Sequence, residues 1–498
     1  MKRKLAVILS VMMLISSLYA CGESADGAKP AQTAANQSND TIAAEETEAK
    51  NVRLESGLPD VDYGGYKFNI MVHNTITNDF AAEEINGEPI NDAEYNRMSA
   101  VQEKANCVIT PIVVTADNRG GQTPLKKTVQ AGTNDYDLVC LSGYSSCNAI
   151  VAGILADLNK VENLDLSKPW WDQYVTQECT FGNSVFQMTG DLSIGDNRAT
   201  FAIYFNKNMA ENHSLPNFYD MVDNNTWTID NFRTFAEAID SDLDTDGDGG
   251  HVNDKEDLYG IYIWDDIMMG IVNASGIKCC TVNPAGEIEL TLYSDKFVQA
   301  FDKFTAYAYN KDVTCAYQRN GYDADYGVLA FRDGRALFYM ANLGAATSFR
   351  DMENDFGIMP LPLYDESQER YYNSAASWSI SLYSIPNNAW QDEDFARAGW
   401  ITQALAYESL YSLTPAYYEV TLQNKVARDE QSARMLDLIF ASRTYDFGWY
   451  FEIGGYNEAI MNLLRAYKSD VTSMYEKGLK KADKTLTKYN DAIAEIIG

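Results

Sequence analysis

The densest group of metal-capable side chains is the run Asp242-Leu243-Asp244-Thr245-Asp246-Gly247-Asp248-Gly249-Gly250-His251-Val252-Asn253-Asp254-Lys255-Glu256-Asp257. Counted from Asp244, it puts carboxylates at the first, third and fifth positions of a calcium-binding loop and Gly249 at the tight turn. The closing position holds Lys255, so closure falls to Asp254, or to Glu256 through a one-residue insertion. Asp242, Asp244, Asp246 and Asp248 packed into one turn repel each other unless a cation sits among them. The expectation is a structural calcium held by Asp244, Asp246, Asp248, Asp254 and Glu256, with a solvated acidic turn as the alternative. Catalytic chemistry has no comparable signal. Three histidines in 498 residues make a histidine-rich metal site or a His-centred hydrolase improbable. There is no GxSxG, no HExxH and no Cys/His pair with a supporting acid, so neither a catalytic residue nor a catalytic cofactor is expected.

With 39 Lys+Arg against 71 Asp+Glu, the formal net charge is -32. Such a chain is repelled by phosphate backbones and anionic headgroups, which argues against nucleic acid and a polybasic membrane surface as partners. Its 46% hydrophobic content supports real cores, and about 440 residues beyond the leader suffice for roughly two to three domains.

Met1-Lys2-Arg3-Lys4 is a basic start, and Leu5 to Ile15 an apolar stretch of signal-peptide length, short for a membrane span. Leu18-Tyr19-Ala20-Cys21 resembles a bacterial lipobox, with Tyr19 larger than usual for its slot. The expectation is a lipoprotein signal peptide over 1–20, then diacylated Cys21 and a flexible tether over 21–59, holding the domain at the outer face of the cell membrane. An ordinary signal peptide is the alternative. The stretch from Gly22 to Glu55 is rich in Ala, Ser, Thr, Asn, Gln and Glu and lacks aromatics. Seven cysteines remain after Cys21, an odd number without CxxC spacing, so they read as small buried hydrophobes and no required disulfide is expected.

From Tyr66 onward, strand and helix patterns alternate. Lys67 to Val72, Cys107 to Val114 and Tyr136 to Leu141 read as strands, and Ala93 to Ala105, Thr123 to Ala131 and Cys147 to Leu155 as helices. That succession predicts an α/β fold whose mainly parallel sheet carries helices on both faces, with ligands beyond the carboxyl ends of the strands. Attention falls on the loops His73 to Phe80 and Ser142 to Ser146. A second block has strands at Leu258 to Trp264, Ala336 to Ala341, Asp355 to Met359 and Ser379 to Ser384, and beyond Gln391 the chain reads almost wholly helical, with breaks at Pro415, Gly448 and Gly454-Gly455.

Several stretches carry a family resemblance: Asn86 to Arg97, Tyr136-Asp137-Leu138-Val139 with Ala156-Asp157-Leu158, Lys168-Pro169-Trp170-Trp171, Gly190-Asp191-Leu192-Ser193, Tyr204-Phe205-Asn206-Lys207 and Phe331 to Phe338. In their order and spacing, with Gly357 to Pro362 and Trp378-Ser379-Ile380 downstream, the chain resembles the carbohydrate-type extracellular solute-binding proteins (family 1) that serve ABC importers, in their lipoprotein form. The resemblance implies a two-lobe periplasmic-binding-protein-like (type II) fold with an interlobe cleft and a hinge. Lobe 1 is placed at 60–198 plus 378–425, and lobe 2 at 199–377 plus 426–498. It implies a monomer that captures a sugar or oligosaccharide and delivers it to the importer's membrane subunits.

A cleft for such a solute needs aromatic faces against the ring and polar groups around its hydroxyl rim. Trp170, Trp171, Trp264 and Trp378 lie near strand ends or loops on the crevice side, and Asn74, Asp79, Tyr144, Asp191, Asp265 and Asn342 are the candidates for the rim. Each carboxylate has a bland alternative as a surface charge, or as a helix N-cap for Asp191 and Asp265. Trp227, Trp390, Trp400 and Trp449 read as structural, and Arg119 and Arg198 leave an anion pocket open. Two other classes compete. A secreted carbohydrate-active enzyme would set two carboxylates across a sugar, and a sensory lipoprotein would bind the same solute and pass it to a receptor.

Overall fold

The computed structural model describes residues 53–239, 257–388, 390–423 and 430–497. The signal peptide, Cys21 and most of the tether lie outside the described residues, as do Asp244, Asp246, Asp248, Asp254 and Glu256 of the acidic loop. Of the described helices, none is long and apolar enough to cross a membrane.

The elements that frame the site are, in chain order, β1 (Tyr66–His73), α1 (Pro89–Ala105), β2 (Cys107–Val114), β3 (Leu138–Leu141), α2 (Gly143–Val151), β4 (Phe201–Asn206), β5 (Tyr259–Ile263), α3 (Ile267–Ala274), β6 (Thr314–Ala316), α4 (Asp325–Arg332), β7 (Ala336–Asn342), β8 (Phe356–Met359), β9 (Leu382–Ser384), α5 (Asp392–Leu410), α6 (Leu413–Gln423), α7 (Glu430–Ala441), α8 (Tyr456–Arg465) and α9 (Val471–Ile497). β1 has the alternation of a strand covered on both faces. Phe68, Ile70 and Val72 pack with Val101 of α1 on one side, and Met71 packs with Leu125, Cys147 and Ile150 on the other. α1 starts where Glu88 caps the Asn91 N–H at 2.9 Å, with Pro89 at the first helical position, four residues before the expected start. α2 starts four residues early for a similar reason. Ser142 accepts from the Ser145 N–H at 3.3 Å, which turns Gly143 to Ser146 from a loop into a first turn.

Two sheets result. The first has the order β9-β3-β1-β2, with β1 parallel to both β2 and β3 and β9 antiparallel to β3. The second has the order β6-β5-β7-β4-β8, with β6, β5 and β7 parallel and β4 antiparallel to both of its neighbours, β7 and β8. The expected alternating α/β fold with two lobes is what the chain forms, with more antiparallel pairing than the βαβ pattern implied. Pro415 does not interrupt the C-terminal helices where expected. It occupies the first turn of α6, where a proline costs no hydrogen bond, and the break lies before Leu413.

The chain passes between the sheets through segments that lie side by side. Thr200 bridges to Ala375, the Ala376 N–H donates to the Ala199 carbonyl at 2.9 Å, and Asn373 and Ser374 pair in parallel with Arg443 and Thr444. Arg443, buried here, donates to Asp172 at 3.0 Å and to Asp196 and Asn197. All seven described cysteines are unpaired and buried.

Candidate functional site

A hollow of about 500 Å³ opens where the carboxyl ends of β5, β6 and β7 face the loop after β2 and the start of α2. From the second sheet, β5 delivers Trp264 and Asp266, β6 delivers Tyr317, and the last residues of β7 deliver Tyr339 and Asn342. This is the position that parallel strands assign to a ligand, because their carboxyl ends splay into loops while their bodies stay packed. Phe201, Met269 and Met340 supply apolar lining, α8 supplies Glu458 and Arg465, and Trp378 projects from the returning hinge segment.

On the opposite wall, short-range bonds fix the loop after β2. The Asn118 carbonyl accepts from the hydroxyls of Ser142 (2.7 Å) and Ser145 (3.1 Å), and the Gly121 N–H donates to Ser145 Oγ at 3.0 Å. A Cβ on Gly121 would lie 2.8 Å from the His73 ring, and one on Gly143 would meet the Ser377 carbonyl oxygen at 2.9 Å. Both close approaches therefore need glycine. The result sets Arg119 with its guanidinium 4.5 Å from the centre of the Tyr144 ring and its Nε and Nη2 on the Glu452 carboxylate, at 2.9 and 2.7 Å to Oε1.

The polar groups of the hollow are uneven in charge. Arg465 donates to Glu458 at 3.0 Å. Asp266 accepts from the Trp378 indole N–H at 2.8 Å, and burial pushes its carboxyl up to about 6 against the opposing effect of that bond. Burial also raises the hydroxyls of Tyr317, Tyr339 and Tyr144, so all three stay neutral hydrogen-bonding groups. The Trp264 and Tyr317 rings lie 5.2 Å apart at 55°. The walls thus offer aromatic faces, amide and phenol groups and one carboxylate held by an indole. No histidine, cysteine or serine lines the hollow among the described residues. Such a surface can hold a molecule with apolar faces and a hydroxyl rim, and it offers no nucleophile paired with a base.

Of the sequence candidates, Tyr144, Trp264, Asn342 and Trp378 meet in this hollow. The other six do not reach it. Trp170 and Trp171 are 1% and 2% exposed, the first edge-on to Tyr407 and the second donating to Gln403 at 2.9 Å, so these indoles are core. Asp79 is fully buried and accepts from the Ser193 hydroxyl and the Ile194 N–H, with its carbonyl held by Arg97. Asp191 accepts from Thr414 at 2.6 Å beside the hinge, and burial raises its carboxyl to about 7. Asp265 turns inward to a buried ion pair with Arg319 at 2.9 Å, leaving the next residue, Asp266, at the cavity wall. Asn74 is exposed and accepts from the Ala116 N–H at 2.9 Å, which makes it a support for the loop that carries Asn118 and Arg119.

Sequence reasoning missed Asn118, Asp266, Tyr317, Tyr339, Glu458 and Arg465, which also line the hollow. Tyr317 could have been found by reading Thr314 to Ala316 as a buried strand, which puts the next residue at a strand end. Glu458 and Arg465 sit on a C-terminal helix, where nothing in the local pattern marks a binding face.

Residues 97–433 match the family described as bacterial extracellular solute-binding protein. No protein of curated function matches the chain. Among solved structures, the chain is similar to the galacto-N-biose-/lacto-N-biose I-binding protein of an ABC transporter from Bifidobacterium longum in complex with lacto-N-biose, at 12% identity and a TM-score of 0.57 over 86% of this chain and 98% of that one. It is also similar to a cyclo/maltodextrin-binding protein complexed with maltotetraose, at 14% identity and TM-score 0.55 over 84% and 96%. A third is an ABC substrate-binding protein from Listeria monocytogenes in complex with cycloalternan, at 11% and 0.53 over 86% and 99%. At these identities the likeness is one of fold, a two-lobe architecture with a cleft between.

Proposed function

The chain belongs to the bacterial extracellular solute-binding proteins, and we propose that within this extracytoplasmic family it carries a sugar or oligosaccharide, held in the hollow between the lobes and passed to an ABC importer without chemical change. The observation that carries this reading is the hollow itself. It has Trp264, Tyr317, Tyr144 and Trp378 as ring faces, and Asn342, Asn118 and Asp266 as polar groups, drawn from both sheets. A solute touching both walls favours the closed arrangement by its differential affinity, which is how an importer distinguishes loaded from empty carrier. The sugar complexes of the similar folds support the choice of solute class.

The leader extends the proposal. Cys21, diacylated after removal of residues 1–20, anchors a monomer to the outer face of the cell membrane through the tether. The acidic loop from Asp242 to Asp257 takes a structural calcium and stays apart from the solute. A Cys21→Ser variant should move from the membrane fraction to the medium or to an unprocessed precursor, and unchanged membrane retention would overturn the anchor.

The test of the main reading is tryptophan fluorescence and thermal melting against a panel of oligosaccharides, followed by chromatography of each sugar. Saturable quenching or enhancement with a raised Tm and intact sugar is the expected result. Cleaved sugar would replace the carrier by an enzyme, and silence across the panel would remove carbohydrate as the solute.

A further inference from the structure

The charged groups around the hollow point to one restriction on what it accepts. Arg119, Arg465, Glu458 and Asp266 line it. Both guanidiniums are already engaged by carboxylates. Arg119 grips Glu452 through Nε and Nη2, and Arg465 holds Glu458 through Nη1 at 3.0 Å. Asp266 is different. Its one side-chain partner is the neutral Trp378 indole, and among the described residues no lysine, arginine or histidine stands within ion-pair distance of it. The neighbouring Asp265 is no source of balance, because Arg319 neutralises it inside the core.

We infer that the hollow selects an uncharged glycan and rejects anionic ones, with Asp266 as the specificity-determining residue that accepts hydrogen bonds from the ligand's hydroxyls. This rests on the reading of the hollow as the sugar site. A carboxylate holding one indole N–H keeps further acceptor capacity, and vicinal hydroxyls supply donors at the spacing of its two oxygens. A uronate would bring a second negative charge against Asp266, a repulsion that no cation paired with Asp266 among the described residues offsets. It would also find both arginines already paired with carboxylates, Arg119 through Nε and Nη2 and Arg465 through Nη1, so neither offers it an unshared cation. Trp378 holds the carboxylate in place, so the indole that presents a face to the ring also orients its polar anchor.

The test is calorimetric titration at neutral pH with matched pairs of oligosaccharides, each neutral and in a form oxidised to a uronate at C6, against the wild-type protein and D266N. The asparagine keeps the size of the side chain and an acceptor for Trp378, and its Tm is measured alongside. The expected result is binding of a neutral member, at least tenfold weaker binding of its uronate (about 1.4 kcal/mol), and a D266N protein that loses at least tenfold toward the neutral sugar while narrowing the gap between the pair. A uronate bound as tightly as its neutral partner, or a D266N protein with unchanged affinity and selectivity, would overturn the inference and leave the carbohydrate reading standing. Failure of every member of every pair to bind would overturn both.

Discussion

Replacing Arg443 by methionine should destabilise the fold by about 3–5 kcal/mol, because it strands the buried Asp196 carboxylate and the largely buried Asp172. The guanidinium donates to Asp172 at 3.0 Å, to Asp196, to Asn197 and to the Tyr445 hydroxyl at 3.4 Å, and the Tyr445 hydroxyl in turn donates to Asp172 at 2.7 Å. Arg443 and Asp196 are 4% and 2% exposed, so water cannot take over the lost contacts. Burial already opposes ionisation of Asp196 and raises its carboxyl to about 6, with Arg443 the main opposing influence. Methionine fills the stem volume but returns none of the bonds. Urea unfolding of a soluble form starting at Ser56 measures the loss. The same measurement on the triple variant R443M/D172N/D196N, which removes the stranded charges, should recover more than half of it. A loss below about 1 kcal/mol, or a triple variant no more stable than the single, would refute the account of this cluster as a charge-compensated hinge.

Trp264→Ala should weaken solute binding by about 2 kcal/mol, roughly thirtyfold, with little change in Tm, and titration with the best ligand of the panel checks it. Acidification should stabilise the protein. Burial raises the carboxyls of Glu94 and Asp191 to about 7 and those of Asp137 and Asp446 to about 6, so the folded chain holds protons that the unfolded chain has released. Stability therefore grows as pH falls from about 8 through these values toward about 5, and relief of a net charge of -32 acts in the same direction. A Tm that falls steadily over that range would contradict it. Chelation with EDTA should lower the Tm and added calcium restore it, and a melt insensitive to both would reduce the acidic loop to a solvated turn.

What the sequence revealed about the site follows from where each signal is written. Strand ends are local, and so Trp264 and Tyr144 could be placed from the pattern of β5 and from the turn after β3. Which of two adjacent carboxylates faces a cavity is set by the orientation of a strand's last residue against a neighbour distant in sequence. Asp265 met Arg319 and turned inward, and Asp266 took the wall. Trp170 and Trp171 carried the right residue type and a loop-like context, yet their environment is supplied by Tyr407 and Gln403 of α5, more than two hundred residues away in sequence. The fold was more legible than the site because its strands repeat a pattern of two-sided burial, whereas α8 contributes Glu458 and Arg465 through a packing that nothing in its own sequence announces.

The same backbone serves the crossing between the sheets and the wall of the hollow. Ala375 bridges to Thr200, the Ser377 carbonyl accepts from the Gly143 N–H at 3.0 Å at the start of α2, and Trp378 follows with its indole on Asp266 of the second sheet. Gly143 leaves no room for a Cβ in that contact, so the start of α2 and the returning segment are held at a fixed separation. With the solute seated in this hollow as proposed, pressure on Trp378 acts on the segment that crosses between the sheets, without an intervening chain of side chains. Signalling that the carrier is loaded then requires no more than a ligand whose contacts with Trp378 and Asp266 are better in one lobe arrangement than in the other.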